Sequence, residues 1–226
     1  GALLRRHAHG HWALTVDADE FLVYPHCDTR PLPALTDWLD RAGIRSFPAM
    51  LIDTYPRGPL DAVACPPGAD PFAVAPWFDS ANYTYRPDPE YTNLWIQGGP
   101  RARAFFADRP EAAPALNKIP LVRWHRRYAY VHSTHMLLPR GLNLTYDTHA
   151  GERPSGALLH AKFVHAARTP GLARRLAREH WDEGREFAAV RAGIDEGTDL
   201  WTPFSTRYRD WRQLQELGLI SAGDWA

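Results

Sequence analysis

The stretch HWALTVDADEFLVYP, residues 11–25, decides how the chain is read. An apolar run from Trp12 to Val16 delivers Asp17, Asp19 and Glu20, and the chain turns apolar again at Phe21. Residues 12–16 and 21–24 are therefore expected as strands flanking a short acidic turn. Burying several carboxylates unpaired costs several kcal/mol, so a counter-charge is expected nearby. An arginine such as Arg5 or Arg6, a metal ion, or solvent around an exposed turn would each answer that demand.

Outward from this segment, mixed elements continue. PLPALTDWLDRAG (31–43) is expected as a helix, with Leu32, Leu35 and Leu39 on one face and Gly43 as its stop. SFPAMLIDTY (46–55) follows as a strand. Residues 56–92 have no clear period and read as a long ordered excursion or a disordered loop. Their aromatics Trp77, Phe78, Tyr83, Tyr85 and Tyr91 argue for order. ALNKIPLVRW and YAYVHSTHMLLP are expected as strands joined by a turn, and ALLHAKFVHA (157–166) as a further strand. Two helices should close the chain, one capped by Thr169 with Pro170 at its first position, the other running from Ser205 to Gly218. No internal repeat or low-complexity tract interrupts this order. The expected class is α/β, in a single domain over residues 1–226.

Composition narrows the function classes. At 226 residues the chain can bury a sizeable core. Twenty-six basic residues balance 26 acidic ones, which gives no electrostatic argument for nucleic acid. No apolar run is long enough for a transmembrane helix and no signal peptide is visible, so a cytoplasmic location is expected, with peripheral membrane attachment compatible. Cys27 and Cys65 lack the paired spacing of a zinc or redox motif and read as free thiols, with one disulfide as the alternative. Only two of the basic residues, Lys118 and Lys162, are lysines. Codon usage rich in G and C explains such a bias. A lysine that survives it suits a compact point charge on a phosphate.

Three groups could carry chemistry. Asp17 and Asp19 sit at the end of an apolar strand, where α/β sheets place ligands, and two carboxylates suit Mg²⁺ or Mn²⁺ with a diphosphate filling the remaining positions. In LLHAKF, His160 and Lys162 are two apart and would share a strand face, an imidazole for a metal beside an ammonium for phosphate. His132 and His135 in VHSTH would face opposite sides, and either can be a structural imidazole. In QGGPRAR, Gly98 and Gly99 allow close backbone approach to a ligand, and Arg101 and Arg103 could meet a phosphate or sugar hydroxyl. The plain alternative there is a tight turn followed by surface arginines.

WALTVDADEFL resembles the metal-binding segment of family 2-like glycosyltransferases with the GT-A fold, in the bacterial group whose signature is an apolar strand followed by D-x-D-E-F. The likeness continues through GGPRARAF, NKIPLVRW, STH, LLHAKF and LQELGLI. It implies a GT-A-like mixed sheet flanked by helices, a divalent cation (Mn²⁺ or Mg²⁺) and a nucleotide-sugar donor. A saccharide or glycolipid would be the acceptor. Carried over, Asp19 would be the direct metal ligand and Asp17 would contact the metal or the ribose. His160, or else His135, would add an imidazole. Lys162 would neutralise the leaving diphosphate, Arg101 or Arg103 would help bind donor or acceptor, and Lys118 is a further substrate-binding candidate. In that family the D-x-D follows about a hundred residues of nucleotide-binding structure. The resemblance therefore makes this chain the C-terminal portion of such a domain, lacking part of its N-terminal half. An inverting transferase also needs a carboxylate base. GGPRAR lacks the acidic pair of some relatives, leaving Asp53 and Glu90 as candidates. A metal-dependent phosphoesterase and a non-catalytic carbohydrate-binding domain are the two alternatives.

Overall fold

The structure, a computed structural model, describes residues 1–144, 146, 153–164 and 196–225. In chain order, helix α1 (Ala2–His7) precedes strands β1 (Trp12–Leu14) and β2 (Glu20–Val23), helix α2 (Leu32–Arg41) and strand β3 (Ser46–Asp53). The short helix α3 (Pro71–Val74) leads to strands β4 (Trp77–Asp79), β5 (Tyr83–Asp88) and β6 (Asn93–Gly98), then to helix α4 (Gly99–Phe105). Strands β7 (Asn117–Arg123), β8 (Ala129–Val131), β9 (Met136–Leu138), β10 (Gly156–His160) and β11 (Ser205–Arg207) follow, and a last described helix spans Trp211–Glu216. The class is mixed α/β, with few helices around a mixed sheet.

That sheet has five strands in the order β1-β7-β3-β10-β2. Only β3 and β10 run parallel; the other neighbours are antiparallel. All eight residues of β3 are buried, as befits a strand with neighbours on both edges. A proline would break such a central ladder, because it has no N–H to donate. Pro48 is accommodated where the β3–β7 register shifts, between Phe47 and Ala49. Helix α2 forms because its leucines recur at helical spacing. Leu35 and Leu39 are fully buried, packed with Phe47 and Leu121. β10 starts at Gly156, where any Cβ would lie 2.6 Å from the Val23 carbonyl and 2.9 Å from the Phe47 ring. The excursion over 56–92 is ordered: it holds α3 and β4, and β5 pairs along its length with β6.

Several local expectations need correction. Residues 205–210 are not helical. Ser205–Arg207 pairs with β4 as a strand, and the helix starts only after Asp210, whose side chain accepts from the Gln213 N–H at 3.0 Å. β10 ends at His160, so Lys162 opens a 3₁₀ turn and does not share a strand face with His160. His132 and His135 are not on one strand either. They bracket a 3₁₀ turn entered at positive φ by His132 and Ser133. The helix expected from Thr169, and His165, lie outside the described residues. Cys27 and Cys65 are free thiols.

Candidate functional site

The sheet directions bring the acidic turn to one end of the molecule. β1, β3 and β10 finish there, and β2 and β7 begin there. The turn is built locally. The Glu20 N–H donates to the Asp17 carbonyl at 3.1 Å, and the Glu20 carboxylate accepts from the Asp17 N–H at 3.0 Å. The turn is also tied to β10, since the Ala161 N–H donates to the Asp19 carbonyl at 2.9 Å.

Its counter-charges are a lysine and a histidine. Lys118 Nζ, on a side chain only 6% exposed, lies 3.0 Å from Glu20 Oε1 and 3.6 Å from Asp17 Oδ2. His160 Nε2 lies 3.2 Å from Asp19 Oδ2, and its Nδ1 lies 2.7 Å from Asp53 Oδ1. Asp53 is 1% exposed, and its other oxygen accepts from Arg101 Nε at 2.7 Å. A continuous chain Arg101–Asp53–His160–Asp19 thus runs from the core to a carboxylate that is 37% exposed. The parallel register that sets His160 opposite Asp53 creates it.

Electrostatics follow from this chain. Burial works against charge on His160, but hydrogen bonds to Asp19 and Asp53 outweigh it and raise its pKa above the ordinary imidazole value. Burial likewise opposes the Asp53 charge, yet the Arg101 guanidinium and His160 hold its carboxyl well below the usual range. Asp19 is lowered chiefly by its hydrogen bond to His160, with Lys162 assisting through space.

The structure brings Asp17, Asp19, Asp53, Lys118, Lys162 and His160 together, and Glu20 joins them. Other candidates lie elsewhere. His135 Nδ1 meets the Asn117 carbonyl at 2.6 Å, and its own carbonyl accepts from the Asn93 side chain at 3.2 Å, an arrangement that pins the start of β7. Glu90 is exposed in the β5–β6 turn, its N–H donating to Asp88 at 3.0 Å. Arg103 binds Asp79 through two nitrogens, at 2.8 and 3.0 Å. Gly98 and Gly99 serve their own hairpin: at Gly98, with φ 137°, a Cβ would fall 2.3 Å from the Asn82 carbonyl, and the Gly99 N–H donates to Asn82 Oδ1 at 2.7 Å.

Among the described residues no three His, Cys, Asp or Glu side chains converge as a ready-made cation cage. A divalent cation that also binds a diphosphate needs only one or two protein carboxylates. The Asp53 contact to His160 Nδ1, with Nε2 directed at Asp19, is the outer-shell pattern that orients a metal-binding imidazole. Asp19 and His160 are the two side chains through which that pattern would offer ligands to a divalent cation. The chain matches no protein-family model, no curated protein and no solved structure. No described helix is long and apolar enough to cross a membrane.

Proposed function

We propose that this chain carries the metal–diphosphate site of a glycosyltransferase, moving a sugar with inversion from a nucleotide-sugar donor to a saccharide or glycolipid acceptor. The reading rests on the Asp53–His160–Asp19 relay at the mouth of the D-x-D turn. Asp19 and His160 would hold Mn²⁺ or Mg²⁺, which when bound supplies Lewis-acid stabilisation of charge on the leaving diphosphate. Asp17, 68% exposed on its side chain, stands at the entrance for a ribose or the same cation. Lys162 adds positive charge beside Asp19, and Lys118 holds the turn closed from beneath. Asp53, with both oxygens engaged, is a positioning residue that fixes the imidazole. In the transfer the acceptor oxygen forms a bond to the anomeric carbon as the bond to the diphosphate breaks. The leaving diphosphate takes the bonding pair, and the hydroxyl proton passes to a base other than Asp53, whose two oxygens are engaged.

The test is Mn²⁺ binding by electron paramagnetic resonance, with and without UDP or GDP, on this chain and on Asp19→Ala. Nucleotide-enhanced binding that disappears in the variant is the expected result. Equal binding by both proteins would sink the assignment. Turnover of simple phosphate esters would favour a phosphoesterase, and sugar binding that survives a chelator would favour a carbohydrate-binding domain.

A further inference from the structure

β7 has a second end. Five residues on from Lys118, roughly 17 Å along the strand, Arg123 borders a cavity of about 430 Å³. Arg45, His9 and His125 share its wall, over the buried Trp124. The loop before β1 and the turn after β7 are held together there, the Gly10 N–H donating to the Trp124 carbonyl and the Trp124 N–H to the His11 carbonyl, both at 2.8 Å.

The charge in this wall is one-sided. Among the described residues Asp40 is its single acid, and Arg123 holds it through Nη1. Arg45 has no acidic partner among the described residues, nor do Arg126 and Arg127 on the adjoining turn. His9 and His125 meet edge to face with centroids 4.7 Å apart. Desolvation, then His9, Arg127, Arg126 and Arg45, push the His125 pKa down. Arg45 lines the cavity itself, Arg126 and Arg127 follow His125 directly in the chain, and Asp40 is already committed to Arg123. In a chain of zero net charge, such a concentration around a cavity calls for an anion.

We propose that this cavity binds a phosphate group, with Arg45 as its main cation and His9 and His125 as hydrogen-bond donors. A guanidinium offers phosphate a forked pair of donors, and two imidazoles can supply further ones. The same chemistry is presented by a small phosphomonoester and by the headgroup of an anionic lipid. The site is separate from the Asp19–His160 end of the sheet and does not depend on the function proposed for it.

The experiment uses the full chain at low ionic strength. Calorimetric titration with glycerol 3-phosphate is run beside flotation with phosphatidylcholine vesicles, with and without phosphatidic acid. Each is repeated for Arg45→Glu, an exposed position whose change leaves the core intact, and for Asp19→Ala. Binding of the soluble ester, weakened tenfold or more by Arg45→Glu and unchanged by Asp19→Ala, supports the site and identifies a free phosphate. Flotation only with phosphatidic acid, lost in Arg45→Glu, supports it and identifies a headgroup. Absence of binding in both arms overturns the proposal, as does binding that Arg45→Glu leaves unaltered.

Discussion

Two aspartates in this molecule are clamped by arginines of the same helix, with different results. Arg101 and Arg103 are two apart on α4, so they leave the helix about 200° apart and reach separate acids. Arg103 binds Asp79, whose oxygens also take the Tyr55 hydroxyl and the Asn82 amide at 2.9 Å. Tyr55 continues to Ser205 at 2.9 Å, and Arg103 continues to the Leu200 carbonyl. Each branch of that network ends on another protein group, tying β4, β11 and the β5–β6 hairpin together. Arg101 binds Asp53, whose second oxygen goes to His160, and the path then leaves the core at Asp19. The arginine–carboxylate pairing is shared. What the second oxygen meets separates a structural clamp from a relay that runs through an imidazole to the part-exposed Asp19.

Asp53→Ala should break the comparison most severely. Arg101 and His160 would both lose a buried partner, and removing one member of a buried ion pair costs about 3–5 kcal/mol. Urea unfolding should show that loss. Nucleotide-enhanced Mn²⁺ binding should fall with it, by roughly 10–100-fold, as for loss of an outer-shell partner. Asp79→Ala should cost less, about 1–3 kcal/mol, because Arg103 is 29% exposed and retains the Leu200 carbonyl. Its Mn²⁺ binding should be unchanged where the protein is folded. Equal loss of Mn²⁺ binding in both variants would erase the distinction between clamp and relay. His160→Gln sharpens it: the shape stays close, so stability should fall by only about 1 kcal/mol, while Mn²⁺ affinity drops at least tenfold.

The relay was half legible in the sequence. Acids between two apolar strands mark the turn, Asp53 stands at an expected strand end, and His160 stands two residues from Lys162 in LLHAKF. Their pairing was not legible, because it depends on β3 and β10 lying parallel across more than a hundred intervening residues. That is why Asp53 read as a base open to an acceptor when it is sealed against His160 and Arg101. Arg101 and Arg103 read as ligand cations because Gly98 and Gly99 allow close backbone approach to a ligand. A helix instead starts at Gly99 with Pro100 in its first turn, burying Arg101 and setting the part-exposed Arg103 against Asp79. The late start of the last helix has a local signal: Asp210 followed three residues later by Gln213 is the spacing of a capping box. Asp79 and Tyr55 had none, since an aspartate and a tyrosine among many acquire meaning only when β4 and β11 pair.

The smallest expected effect concerns pH, and its two arms have opposite signs. His160 is raised in the fold, so its contribution to stability is fully present below about pH 6.5 and is lost as pH rises through the raised value. Asp19 and Asp53 are lowered, so theirs is present above about pH 4 and is lost as pH falls through their folded values. Metal-free protein should therefore gain most from the relay between these limits. Asp19 is part-exposed and screened by solvent, so the gain is modest. The melting temperature of the wild type should exceed that of His160→Gln by roughly 2–4 °C in this window, the size of a change of about 1 kcal/mol in a chain of this length. That excess should shrink as pH rises above the His160 value. Mn²⁺ affinity should move the other way across the same rise, because the cation needs the imidazole lone pair that the proton occupies. An excess that is flat with pH would mean that the imidazole carries no proton between the two carboxylates, and the relay would be a neutral hydrogen-bond chain instead.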